Sequence, residues 1–147
     1  MKVYFQNSWG AFEAAYDMKE NLIQLKKINS SNRVWIKHDL GFLLEDFYNQ
    51  QKYKLPKIKL IGTDFQKKVW NAIATIPVGS TRTYKQIAEL IKHPKAMRAV
   101  GTACKKNPIP FIIPCHRVIS SDGSLGNYYY GKGLKATLLN RETKIGR

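Results

Sequence analysis

Ile112-Ile113-Pro114-Cys115-His116-Arg117-Val118-Ile119 is an apolar run interrupted by a single polar tripeptide. A thiol beside an imidazole, with apolar residues on either side, suggests a nucleophile held on a buried strand or turn with a proton acceptor close by. The plainer alternative makes Cys115 a small buried hydrophobe, as most free cysteines are, and His116 a satisfied core histidine. Neighbouring side chains on a strand point to opposite faces, so His116 can act on Cys115 only through a turn or a bridging water.

Upstream of this stretch the pattern is helical. Thr63-Asp64-Phe65-Gln66 has capping-box form, and Phe65, Val69 and Ile73 follow at i, i+4, i+8, so a helix with a core-facing lining runs to about Thr75 before Pro77-Val78-Gly79 ends it. Thr83-Tyr84-Lys85-Gln86 repeats the form and opens a short helix with Ile87, Ala88 and Ile91 inward, stopping at Lys92-His93-Pro94. Pro94 suits the first turn of a third helix reaching Lys106, which Asn107-Pro108 terminates. Met97, Val100 and Cys104 share one face of it, expected to pack; Arg98, Thr102 and Lys105 share another, free to touch DNA. Two helices joined by a tight turn, the second with a basic stripe, form a helix-turn-helix pattern.

The first part of the chain reads differently. Val3-Tyr4-Phe5, Ala11-Phe12-Glu13-Ala14 and Leu22-Ile23-Gln24-Leu25 are short strands, and Phe42, Leu43, Phe47 and Tyr48 fall near a helical stripe after Asp39. We read residues 1–55 as a small α/β scaffold domain, 56–62 as a linker within a proline-broken basic stretch, and 63–147 as the domain that carries the chemistry. The whole is of the α+β class.

Composition sharpens that division. The net charge is +15, and it is unevenly placed: residues 1–55 hold 8 basic and 6 acidic side chains, whereas 56–147 hold 17 and 4. The second segment is the one expected to meet a polyanion, against the alternative of a merely soluble basic surface. With 44% apolar residues the chain can bury one moderate core or one small domain packed on another. Its apolar runs are too short to cross a bilayer and Met1-Lys2-Val3-Tyr4-Phe5 lacks the apolar core of a signal peptide, so it reads as intracellular and cytoplasmic, with no membrane partner. Two cysteines make no disulfide framework and are expected to be free thiols, and with three histidines they show no paired metal-ligand spacing. No metal and no cofactor is expected.

Arg98-Ala99-Val100-Gly101, Asn107-Pro108-Ile109-Pro110, Pro114-Cys115-His116-Arg117-Val118 and Gly126-Asn127-Tyr128 stand in that order. This ordered set resembles the O6-alkylguanine-DNA alkyltransferases, also called methylated-DNA–protein-cysteine methyltransferases. The resemblance is dense from about Gly62 to Glu142 and weak before it. It implies an RNase H-like N-terminal domain and a mostly helical, winged-helix-like DNA-binding domain. It also implies single-turnover, irreversible transfer of an alkyl group from O6-alkylguanine, and by extension O4-alkylthymine, in double-stranded DNA to Cys115, by a monomer that flips the damaged nucleotide.

Carried over residue by residue, the resemblance gives Cys115 as acceptor and His116 as base through a water. Glu142 then fixes the imidazole, Asn107 shapes the active-site turn, and Tyr84 donates a proton to N3 of the leaving purine. A solvated helix-end Glu142, a helix-capping Asn107 and a packing Tyr84 remain the plain alternatives. Arg98 matches the family's arginine finger, which occupies the space of the flipped nucleotide; its alternative is one more phosphate contact. Ala99 and Gly101 are small, so backbone can come close to a minor groove. Thr83, Lys85, Lys95, Thr102, Lys105 and Lys106 are the expected DNA contacts, and the lysines among them supply a salt-dependent phosphate attraction. Val118, Tyr128, Tyr129 and Cys104 are expected to border the substrate pocket, with backbone at Cys115 and Val118 reading the base edge and the Tyr129 N–H near O6.

Tyr128-Tyr129-Tyr130-Gly131 is bulkier than the family's usual loop, which places entry of large adducts such as benzyl in question. Three rivals belong to other classes: a lesion sensor that binds without transfer, a helix-turn-helix regulator, and a Cys-His hydrolase. Sensor relatives lack the cysteine that stands at 115. A regulator of the adaptive-response type needs a further cysteine-rich domain, and residues 1–55 contain no cysteine. A hydrolase turns over many times.

Overall fold

A computed structural model describes residues 1–7, 9–29 and 56–145, the side chain of Ile145 excepted, and divides the chain into two compact units, Met1–Ile61 and Gly62–Arg147. The helical stripe expected after Asp39 lies outside the described residues. Among the described residues no helix is long and apolar enough to cross a membrane.

The first unit contains a three-stranded antiparallel sheet, β1 (Lys2–Asn7), β2 (Gly10–Tyr16) and β3 (Leu22–Ile28), in the order β1-β2-β3. Its centre is apolar because Phe5 and Phe12 are register partners whose rings stack at 5.3 Å. The middle strand is buried from Ala11 to Ala15, and Glu13, buried among them, is held by Lys2 (3.3 Å) and Lys26 (3.4 Å) from the flanking strands. Part of the expected linker also belongs here. Leu22 N–H donates to the Lys57 carbonyl (2.7 Å) and Lys59 N–H to the Leu22 carbonyl (3.0 Å), so residues 57–59 lie along β3 in a parallel bridge.

The second unit is helical: α1 (Asp64–Ala74), α2 (Tyr84–Leu90), α3 (Met97–Lys105) and α4 (Lys132–Ile145), with a 3₁₀ turn at Cys115–Arg117. Both capping boxes form. Gln66 N–H donates to Thr63 Oγ1 (3.1 Å) and Thr63 N–H to Gln66 Oε1 (2.9 Å), and Thr83 and Gln86 repeat the pair at 3.0 and 2.9 Å. The core joins Val69, Trp70 and Ile73 of α1 to Ile87 and Ala88 of α2, Val100 and Ala103 of α3, and Ile109, Val118 and Leu138. The Trp70 indole N–H donates to the Ala103 carbonyl (2.9 Å) and locks α1 to α3.

Two expectations are corrected. α3 starts at Met97, not at Pro94, because Ala96 N–H donates to the His93 carbonyl (2.9 Å) and Pro94 sits inside that turn, where its fixed φ serves equally well. The packing face of α3 is Val100 and Ala103; Met97 is 43% exposed and Cys104 half-buried. Trp70 covers the Ala103 side of the helix, which turns Met97 and Cys104 toward the cavity described below.

A two-residue parallel pair matters most for the site. β4 (Arg82–Thr83) runs beside β5 (Val118–Ile119), with Arg82 opposite Val118. That pairing brings the start of α2, and Tyr84 with it, alongside the chain that leaves Cys115-His116-Arg117.

Candidate active site

Cys115 opens the 3₁₀ turn directly after Pro114, with its N–H donated to the Ile113 carbonyl (2.8 Å) and the Arg117 N–H donated to the Pro114 carbonyl (2.9 Å). The turn, not a strand, therefore sets the relative direction of Cys115 and His116. Before it comes a strained bend: Phe111, buried and stacked on Tyr130 at 6.0 Å, has φ +70°. A bulky residue in the left-handed region costs of order 1–3 kcal/mol and persists only where packing over-determines it.

Asn107 organises this bend. Its Nδ2 donates to the Ile113 carbonyl (2.8 Å) and to Cys115 Sγ (3.0 Å), while its Oδ1 accepts from Ile109 N–H (2.9 Å). One amide thus shapes the turn and presents a donor to the sulfur, which favours the thiolate over the thiol. Burial acts the other way and is the larger influence, helped by contact with the Cys104 thiol, so the Cys115 pKa stands well above the ordinary thiol value. The isolated thiol is not pre-ionised, and a base has to be supplied.

His116 is 1% exposed, and its Nε2 lies 2.6 Å from Glu142 Oε1, itself 1% exposed. Arg117 clamps the same carboxylate, Nε to Oε2 at 3.0 Å and Nη2 to Oε1 at 2.9 Å, and its Nη1 donates to the Ile76 carbonyl (2.8 Å). Burial alone would raise Glu142, but the hydrogen bonds from His116 and Arg117 outweigh it and leave the carboxyl below its usual range. Burial pushes His116 down despite the pull of Glu142. An ionised carboxylate cannot donate, so the proton in the 2.6 Å bond belongs to Nε2 of a neutral imidazole. The lone pair then sits on Nδ1, which is buried and meets no hydrogen-bonding protein atom.

An open cavity of about 550 Å³ lies over the sulfur, lined by Cys115, Tyr84, residues of α3 and the 120–129 loops. Tyr84 borders it half-buried, its hydroxyl 3.4 Å from the Asn127 carbonyl; burial pushes its pKa up to about 12, so it stays protonated at neutral pH. Gly126 makes room for it. With φ +69°, a Cβ there would stand 3.0 Å from Ser120 Oγ and 3.2 Å from the Tyr84 hydroxyl. Tyr128 is edge-on to His116, and Tyr129 is 72% exposed at the rim.

Of the residues singled out in the sequence, Cys115, Tyr84, Arg98, Gly101, Thr102, Cys104, Lys105, Tyr128 and Tyr129 line one cavity, while His116, Glu142 and Asn107 are linked to Cys115 by adjacency or hydrogen bond. Lys85, Lys95, Ala99 and Lys106 are exposed away from the lining, and the Thr83 hydroxyl is committed to its cap. The Val118 side chain is fully buried and is not among the cavity lining, and its carbonyl accepts from Lys135 Nζ at 2.6 Å. The chain beside the cavity is therefore held from beneath.

Two residues carry more than their sequence context announced. Arg117 lay inside the central motif without a role. Lys135, fully buried, bonds the Val118 carbonyl and reaches the Asn127 carbonyl at 3.5 Å, and burial lowers its pKa to about 8. Lys135, Leu138 and Glu142 fall at i, i+3, i+7, and their shared burial shows one inward row on α4. That spacing was the available signal; a lysine in such a row reads as exposed until its carbonyl partners are known. Among the described residues no cluster of three or more His, Cys, Asp or Glu could hold a metal ion.

Residues 64–144 match the family model described as the 6-O-methylguanine DNA methyltransferase, DNA binding domain. A methylated-DNA–protein-cysteine methyltransferase of Methanosarcina barkeri is 59% identical over 81 residues, 55% of this chain and 51% of that protein, so the match spans about half the length of that relative. A probable methylated-DNA–protein-cysteine methyltransferase of Acanthamoeba polyphaga mimivirus is 43% identical over 129 residues, covering 87% of this chain and 86% of the other. Among solved structures, Mycobacterium tuberculosis OGT in complex with DNA superposes with a TM-score of 0.77 at 34% identity, over 97% of this chain and 92% of that one.

Proposed function

This chain belongs to the 6-O-methylguanine DNA methyltransferase family, and from that premise we propose that it repairs DNA by direct reversal, moving the alkyl group of O6-alkylguanine, and of O4-alkylthymine, onto Cys115. The observation that carries the reading is the sulfur itself. It borders an open cavity, accepts a hydrogen bond from Asn107, and opens a turn whose next residue is a Glu142-bound imidazole with no hydrogen-bond partner at Nδ1.

The step is an in-line displacement at saturated carbon. His116 Nδ1, through one water, takes the thiol proton as sulfur attacks; the S–C bond forms, the C–O6 bond breaks, and the purine leaves with the electron pair. Tyr84, protonated at neutral pH, hands a proton to N3 of the departing base. Asn107 stabilises the negative sulfur as it develops. Glu142 and Arg117 hold the imidazole in the useful tautomer. Among the described residues no group stands at Cys115 to break a thioether, so each molecule acts once.

A stacked base cannot present its substituent to this sulfur, so the nucleotide leaves the helix at a cost of a few kcal/mol. Arg98, exposed on α3 at the cavity, fills the gap, with Gly101 and Ala99 allowing close backbone approach and Lys105 and Thr102 on the same helix. The excess charge of residues 56–147, 17 basic against 4 acidic, supports duplex DNA as the partner. The finer fold description that goes with this reading is an RNase H-like first unit and a winged-helix-like second unit in which β4 and β5 accompany α2 and α3. The protein works as a monomer, since one chain carries every group named, and the cytoplasm is the compartment that goes with this reading.

The test is to incubate the protein with duplex DNA bearing one O6-methylguanine and weigh the Cys115 peptide. A gain of one methylene on that peptide, absent from Cys115→Ala, is expected. Tight lesion binding with Cys115 unmodified would establish the sensor instead.

A further inference from the structure

The mechanism uses one of the two free thiols. The other, Cys104 on α3, is half-buried and borders the same cavity as Cys115, near enough for its thiol to raise the Cys115 pKa alongside burial. Asn107 ties both together: its N–H donates to the Cys104 carbonyl (3.2 Å) and its Nδ2 to Cys115 Sγ (3.0 Å). The chain between the two cysteines carries Pro108 and Pro110 and the constrained Phe111, so it is already bent into a closed loop. A second thiol lining the same solvent-open cavity as an acceptor sulfur has a chemistry of its own.

We propose that Cys104 is a resolving thiol for Cys115, and that a peroxide converts the pair into a reversible intramolecular disulfide. Cys115 sulfur takes one oxygen from hydrogen peroxide, water leaves, and a sulfenic acid remains. Cys104 sulfur then displaces that oxygen as a second water, and the S–S bond forms. Two thiols are oxidised and one peroxide is reduced, which balances. The bond removes the acceptor sulfur, so the protein stops accepting alkyl groups until a thiol reductant restores it, and it keeps Cys115 from the irreversible sulfinic acid. The loss and recovery of transfer rest on the reading of the previous subsection; the bond does not.

The experiment treats the full chain with hydrogen peroxide, blocks remaining thiols in acid, and maps peptides without reduction. Cleavage after Lys105 or Lys106 separates the two cysteines. The expected product is a linked Cys104–Cys115 pair lighter by two hydrogens, within a single chain on a non-reducing gel, with free Cys115 recovered by dithiothreitol. In Cys104→Ser, Cys115 is expected to reach the sulfinic acid and recover several-fold less, each protein being scored against its own untreated thiol. Sulfinic Cys115 beside an unreacted Cys104 in the wild-type chain would overturn the proposal. So would a bond between chains, or equal recovery in Cys104→Ser. None of these readouts needs alkyl transfer, and the wild-type map stands even if the variant folds poorly.

Discussion

Replacing Glu142 by glutamine keeps the shape of the side chain and removes its charge. Glu142 accepts from His116 Nε2 at 2.6 Å and from Arg117 Nε and Nη2 at 3.0 and 2.9 Å, all inside the second unit. A glutamine has one acceptor oxygen, and its amide N–H would face either the guanidinium or the imidazole N–H. Arg117 keeps its bond to the Ile76 carbonyl but loses the charged partner of its guanidinium. Breaking a buried pair from one side costs about 3–5 kcal/mol, and at ~2–4 °C per kcal/mol for a chain of this size the melting temperature should fall by roughly 6–20 °C. The double variant Arg117→Met/Glu142→Leu no longer buries an unpaired charge and should lose less than the sum of Arg117→Met and Glu142→Leu, with a coupling of about 1–3 kcal/mol. Circular dichroism melts of wild type and these four variants read this directly. Strict additivity, with each single variant within about 1 kcal/mol of wild type, would refute the clamp.

The same cluster fixes a pH dependence: Glu142 is lowered from 4.5 and His116 from 6.5 in the folded protein, so each contributes stability above those values that is lost as pH falls. Urea midpoints should drop from just above pH 6.5 downward, and less so in Arg117→Met/Glu142→Leu. Lys135 is lowered from 10.5 to about 8, so its burial penalty is relieved as pH rises through that window. Wild type should gain on Lys135→Met between those pH values, and a constant difference would contradict it. Asn107→Asp substitutes an acceptor for the donor on Cys115 at equal size; losing one bond to a charged sulfur, about 1.5–3 kcal/mol, slows transfer roughly ten- to a hundredfold in single-turnover kinetics. Methylation of Cys115 adds a carbon to a buried site and should cost roughly 1–3 kcal/mol, visible as a lower melting temperature of the alkylated protein.

What the sequence disclosed was local. Thr63 and Thr83 announce their helices because a capping box needs only four consecutive residues. Pro94 misled because a proline that can open a helix can equally occupy the turn before one. Met97 and Cys104 were assigned inward because a helix of nine residues has two plausible apolar faces, and the choice depends on where Trp70 of α1 lies. Cys115 and His116 were legible as a polar break in an apolar run, whereas Glu142 came from the resemblance, because its buried pairing is long-range: 26 residues separate the imidazole from its carboxylate. Lys135 and the guanidinium of Arg117 stayed illegible because their partners are backbone carbonyls and one carboxylate, set by tertiary packing alone.

The account stands on a neutral His116 whose proton is on Nε2, leaving Nδ1 as the base for the thiol. Nitrogen-15 NMR of the imidazole at neutral pH reads that tautomer in solution. A protonated Nε2 and a bare Nδ1, lost as a fixed state in Glu142→Gln, is the predicted result. An imidazolium, or a proton on Nδ1, would contradict it.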